Sequence, residues 1–295
     1  MKKLLLLLIT LLSGVFASAQ SRIYADVNGD GEVNISDVNA VIDAILGGTA
    51  PTPPPETGEI ETFTVNGVSF SMVKVEGGTF TMGGTSEQGD DAWDREKPTH
   101  KVTLSPYSIG QTEVTQALWI AVMEDNPSYY SSRKGFEDDF RRPVEDVNWY
   151  ACQKFIQKLN ELTGKAFRFP TEAEWEFAAR GGNNSYHYKF SGSNNLDDVA
   201  WFRDNSGNCT HPVATKAPNE LGIYDMSGNV YEWCWDGSYL YDVGAQTDPG
   251  SNAGSSYRII RGGWSNSYET QCRVSFRSWY STSAAFNDTG LRLAM

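Results

Sequence analysis

The stretch Arg258–Arg277, RIIRGGWSNSYETQCRVSFR, carries the side chains best suited to chemistry. It holds one thiol, Cys272, with the guanidinium groups of Arg273 and Arg277 nearby and Trp264 and Tyr268 before it. A thiol acts as a nucleophile or soft metal ligand only as the thiolate, so its neighbours decide what it can do. A second set of ligands is hard rather than soft. Residues 26–37, DVNGDGEVNISD, read as a calcium loop with Asp26, Asn28 and Asp30 at positions 1, 3 and 5 and Gly31 at the turn. Glu32 offers its backbone carbonyl at position 7, and Asp37 closes the loop at position 12, where a shorter Asp replaces the usual Glu.

The elements that must position these groups follow from local pattern. Ile259 and Ile260 predict a short strand running into the Gly262-Gly263 corner, where positive φ meets no Cβ clash. After the calcium loop, Val38, Val41, Ile42, Ile45 and Leu46 recur with helical spacing, and Gly47-Gly48 ends the helix. Residues 49–62, TAPTPPPETGEIET, predict a Pro-rich linker, and 63–295 can bury a core as one domain. Within it, strands are expected over 62–68, 69–75, 79–82, 100–104 and 107–112, the first two joined by a turn near Asn66-Gly67. Helices are expected over 116–123 with Thr115 as cap, over 147–162, and from Thr171, where Thr171 and Glu174 make a capping box. Beyond residue 183 periodicity fades into Gly, Asn, Ser and repeated Trp, which predicts many loops held by side-chain bonds.

Residues 1–19 read as a cleaved signal peptide: Lys2 and Lys3, an apolar run from Leu4 to Phe16, then Ala17-Ser18-Ala19. The run is short against the roughly 20 apolar residues of a membrane span, and no later stretch qualifies. A secreted or cell-envelope protein with no membrane span is expected. Losing the two lysines takes the net charge from −13 to −15, which excludes a nucleic-acid partner because no basic stripe can displace counterions. Export also permits disulfides among Cys152, Cys209, Cys234 and Cys272. No CxxC pair and no histidine cluster supports a zinc centre.

Four stretches, RFPTEAEWEFAARGG (168–182), GIYDMSGNVYEWCWD (222–236), RIIRGGW (258–264) and TGLRLA (289–294), occur in order after KVEGGTFTMG (74–83) and IGQTEVT (109–115). Together they resemble the formylglycine-generating enzyme, or sulfatase-modifying factor, domain family. The resemblance implies a loop-rich α+β fold of C-type-lectin-like type, preceded here by the short calcium loop-helix. Catalytic members of that family oxidise a sulfatase cysteine to formylglycine with oxygen and copper(I) held by two thiolates, a ligand pair suited to the soft ion. The family's two cysteines fall four and nine residues beyond the second corner glycine, at Ser267 and Cys272 in this chain. A serine hydroxyl is a hard, weak ligand, so the copper site is expected to be broken. Cys234 and Cys272, if neighbours, would form either a substitute thiolate pair or, the favoured alternative, a disulfide.

The resemblance also implies a structural calcium held by Asp225, the carbonyls of Gly228 and Val230, and Glu232. It implies scaffold ion pairs for Arg168, Glu172, Glu174 and Glu176, and similar partners for Arg261, Arg277 and Arg292. Residues 20–48 resemble one of the two repeats of a dockerin, a module of exported polysaccharide-degrading assemblies, so docking through 26–46 is a further expectation. The expected function is an exported calcium-binding module for a protein or glycan ligand. The alternative is a copper-dependent oxidase acting on sulfatases or a related oxidative enzyme; the family's iron-dependent sulfoxide synthases need histidines in a preceding helical domain, which this chain does not supply.

Overall fold

The computed structural model describes residues 58–238, 240–251 and 254–295. The signal-peptide, calcium-loop and following-helix expectations, with Asp26, Asn28, Asp30, Glu32 and Asp37, lie outside the described residues, as does most of the linker. The first strand, β1 (Ile60–Val65), begins inside the stretch read as linker. It pairs antiparallel with β2 (Val68–Val75) through a two-residue Asn66-Gly67 turn, both residues at positive φ, which matches the twist of a tight hairpin. β2 also pairs with β5 (Tyr107–Gly110), completing a three-stranded antiparallel sheet.

A second sheet places β4 (His100–Leu104) between β3 (Gly78–Met82) and the short β7 (Gln246–Thr247). A third has the order β10 (Thr289–Gly290), β6 (Tyr231–Gly237), β8 (Tyr257–Arg261), β9 (Arg277–Ser281). Of these four strands the sequence signalled only β8. Tyr231–Cys234 are all buried, so β6 shows no alternation of apolar and polar residues to read.

Four helices are described. Helix α1 (Gln116–Met123) starts from Thr115, whose side chain accepts the Leu118 N–H. Helix α2 (Trp149–Thr163) starts two residues later than expected, because Asn148 caps it by accepting the Ala151 N–H at 2.9 Å. Its face of Trp149, Cys152, Phe155, Ile156 and Leu159 is buried, and Trp119 of α1 stacks on Phe155 with centroids 4.9 Å apart. Helix α3 (Glu172–Ala179) has the expected Thr171–Glu174 capping box, and every one of its residues is buried. Helix α4 (Leu196–Val199) is a single turn.

Burying α3 sinks three carboxylates, and the fold answers with two local arginines and two from strands of the third sheet. Glu174 meets Arg168 at 2.6 Å, Glu172 meets Arg277 at 2.6 Å, and Glu176 bonds Arg180 at 2.8 Å and Arg261 of β8. The scaffold role expected for these residues is what the structure has. An unpaired charge at any of them would cost several kcal/mol, so the pairs lock the third sheet onto α3.

Candidate functional site

Strand β8 delivers the chain to Gly262 and Gly263, at φ +96° and +80°. Gly263 is required twice over: a Cβ there would stand 2.8 Å from Cys272 Sγ, in a conformation side chains rarely adopt. The chain then folds back on itself. Trp264 N donates to Ser267 Oγ at 3.0 Å, and Ser267 N donates to the Trp264 carbonyl at 2.8 Å. A 3₁₀ turn over Glu269–Gln271 follows, and Cys272 N closes it on the Glu269 carbonyl.

Ser267 and Cys272 are both fully buried. Ser267 Oγ donates to Tyr231 Oη at 3.3 Å. The Cys272 thiol lies among Phe190, Leu196, Val199, Ala200 and Phe202, and this burial pushes its pKa up, further raised by the nearby Glu269. In that cluster the thiol packs as a small hydrophobic group. The residues present do not fit a copper(I) ion held by two thiolates: one position is a hydroxyl already committed to two partners, which leaves a single thiol where the soft ion needs a pair.

The expected Cys234–Cys272 disulfide is not formed. All four cysteines are free, and Cys234 sits in a separate cluster with Val73, Ile109, Trp175 and Ile259. The two thiols belong to different cores, which also rules out the substitute thiolate pair. Neither the strand order nor this partition is visible in one-dimensional spacing.

The motif over 222–236 is tied to the same corner. Gly228 N donates to the Gly262 carbonyl at 2.8 Å, and Asn229 N donates to the Trp201 carbonyl at 2.8 Å. A Cβ on Gly228 would fall 2.3 Å from that Trp201 carbonyl, so only glycine allows this approach. The carbonyl of Val230 faces the Gly262 corner, 3.7 Å from where a Cβ would stand. Asp225 is buried; its Oδ2 accepts the Ala214 N–H at 2.7 Å, while Oδ1 has no partner.

Glu232, the fourth residue expected to hold calcium, is otherwise engaged. Both its oxygens are bound by Arg292, and Oε2 also accepts Trp175 Nε1–H at 2.6 Å. The structure instead reveals Glu113, which the sequence reading passed over inside the IGQTEVT motif. Glu113 is buried with both oxygens unpartnered, and burial, then the nearby Asp225 charge, raises its pKa. Orphaned carboxylate oxygens at Glu113 and Asp225 are donors a hard cation would satisfy. No group of three or more His, Cys, Asp or Glu arranged for a metal occurs among the described residues.

This fold and corner define a formylglycine-generating-enzyme-like domain lacking one of its two sulfurs. The chain belongs to the sulfatase-modifying factor enzyme 1-like domain family, whose sequence profile matches residues 56–295. Residues 2–58 match the dockerin type I domain, a calcium-binding module of extracellular proteins that mediates docking. The chain is 34% identical to the chaperone protein LppX of Paenibacillus barcinonensis, over 77% of this chain and 89% of the relative. It is 27% identical to the formylglycine-generating enzyme of Streptomyces coelicolor, over 76% and 88%, and 25% identical to the inactive C-alpha-formylglycine-generating enzyme 2 of Mus musculus, over 76% and 85%. Among solved structures, Treponema denticola variable protein 1 matches with TM-score 0.72 and 35% identity, covering 81% of this chain and 99% of that one. No described helix is long and apolar enough to cross a membrane.

Proposed function

We propose that this chain is a non-catalytic, exported member of its family, a calcium-binding module that binds a protein or glycan and takes part in polysaccharide degradation. The observation that carries the reading is Ser267: the position of the first thiolate holds a buried hydroxyl bonded to Trp264 and Tyr231. Cys272 is one thiol and cannot supply the soft pair alone. An inactive relative of comparable coverage supports the reading, and residues 26–46 supply the docking half.

The test is oxidation of a CxPxR peptide under copper(I) and oxygen. The wild-type chain leaves the peptide cysteine intact, and a wild-type chain that produces formylglycine overturns the reading. Ser267→Cys provides the control, since it is expected to gain copper(I) affinity measurable against a chelator. A glycan and peptide array with Trp264→Ala then seeks the ligand, and a chain binding neither class leaves no ligand-binding role.

A calcium ion in the C-terminal domain belongs to the same proposal. Asp225 Oδ1 and Glu113 are the oxygens free to hold it, with the Gly228 and Val230 carbonyls, while Glu232 would first have to release Arg292. Calorimetry of the full chain should record one calcium-binding event lost in Asp225→Asn, beyond any event at the Asp26–Asp37 loop. An unchanged isotherm in that variant would remove the second site.

A further inference from the structure

Five buried arginines around α3 and the third sheet reach a carboxylate: Arg180, Arg261, Arg273, Arg277 and Arg292. Arg95 reaches none among the described residues. The adjacent Glu96 is spent on Arg273, bonded through both oxygens at 2.7 Å, and on Ser275 and the Trp93 N–H. Arg95's side-chain bond runs from Nη1 to Ser278 Oγ and is long, at 3.4 Å.

Aromatic rings take the place of a counter-ion. The Arg95 guanidinium carbon lies 4.2 Å from the ring centre of Trp93, 5.1 Å from Trp279 and 5.6 Å from Phe276. Trp93 and Trp279 are nonetheless 42% and 41% exposed. Among the described residues the one hydrogen bond from this guanidinium is the long one to Ser278, so most of its N–H fork is uncommitted. Such a fork matches a carboxylate or sulfate bidentately, and partial desolvation strengthens the match. The exposed indole surface beside it is flat and apolar, suited to the C–H face of a pyranose ring.

We infer that Trp93, Arg95 and Trp279 form a subsite for an acidic sugar unit, its oxyanion on Arg95 and its ring against the tryptophans. An acidic peptide side chain could use the guanidinium but would leave both indoles bare, so the sugar fits the whole surface better. The inference rests on the reading that the domain binds rather than oxidises.

The test is calorimetry of the full chain against four probes: a galacturonate tetrasaccharide, a sulfated tetrasaccharide, cellotetraose and tetraglutamate. One of the acidic saccharides should bind, with cellotetraose and tetraglutamate at least about tenfold weaker. Arg95→Gln and Trp279→Ala should each weaken the acidic saccharide by about tenfold or more, with Arg95→Lys between them and wild type. Which acidic probe binds distinguishes carboxylate from sulfate recognition. Unchanged affinity in Arg95→Gln, equal binding of cellotetraose, preference for tetraglutamate, or no acidic saccharide bound would each overturn the subsite. None of those outcomes bears on the peptide-oxidation assay, so the two proposals fail separately. Near-ultraviolet circular dichroism of the variants, compared with wild type, separates lost contacts from lost folding.

Discussion

Arg292 grips both oxygens of Glu232, with Nη2 2.6 Å from Oε1 and Nε 2.9 Å from Oε2, and neither side chain is exposed. The pair joins β6 to the C-terminal segment, and Arg292 also donates to the carbonyls of Gly110 and Tyr224. It therefore ties together three of the family's motifs at one point.

Glu232→Gln is expected to cost roughly 3–5 kcal/mol, because it leaves a buried guanidinium without its counter-charge. The double variant Glu232→Met with Arg292→Met should be less damaging than the single change, since it removes the uncompensated charge. Urea unfolding of the three proteins measures both differences.

Gly263→Ala should lower stability by roughly 2–4 kcal/mol, combining a left-handed backbone with a Cβ pressed against Cys272 Sγ. For a domain of this size that is a fall in Tm on the order of 10 °C. Adding Cys272→Ala relieves the contact but not the backbone strain, so recovery should be partial.

The thiols give a direct check on the free-cysteine arrangement. Cys209 is the one cysteine not classed as buried, so a thiol reagent at pH 8 should modify it first in the native protein. Cys152, Cys234 and Cys272, buried and with pKa values pushed up by that burial, should stay protected. In guanidinium chloride all four should react; only two reacting would show a disulfide.

Stability should fall as pH rises from about 5 to 8.5 in the presence of EDTA. Burial lifts Glu145 to about 8 and Asp236 to about 7, above their unfolded values near 4. A carboxyl that holds its proton more tightly when folded favours folding fully below its unfolded pKa. That contribution is lost as pH passes through the folded pKa, at up to about 1.4 kcal/mol per pH unit for each group. Urea midpoints across this range measure the slope, and Glu145→Gln should flatten its upper part.

Much of the frame was legible in the chain itself. The hairpin at Asn66-Gly67, strand β4 over His100–Leu104, the Thr115 cap and the Thr171–Glu174 capping box all come from local rules. Local rules work there because a turn or cap is satisfied by residues a few positions apart. Helix α2 starts two residues later than expected because Val147 belongs to the core by tertiary packing, while Asn148 makes the cap. The third sheet escaped for a related reason: Tyr231–Cys234 of β6 are buried without alternation, β9 reads RSWYS with no apolar alternation, and β10 is only two residues long.

The spacing beyond Gly263 determined, without coordinates, that Ser267 stands where the family places its first thiolate, and that soft-metal chemistry is compromised there. The family resemblance, rather than the spacing, implied that the carboxylates of α3 take part in ion pairs. Only the tertiary structure decided which arginine met which glutamate, and that Arg95 was left with tryptophans instead of a carboxylate. It alone separated Cys234 from Cys272, gave Glu232 to Arg292, and exposed the unpartnered oxygens of Glu113. The physical reason is common to all of these: pairing and desolvation depend on distance in space, and residues about 180 positions apart, such as Glu96 and Arg273, carry no mark of their meeting in the sequence.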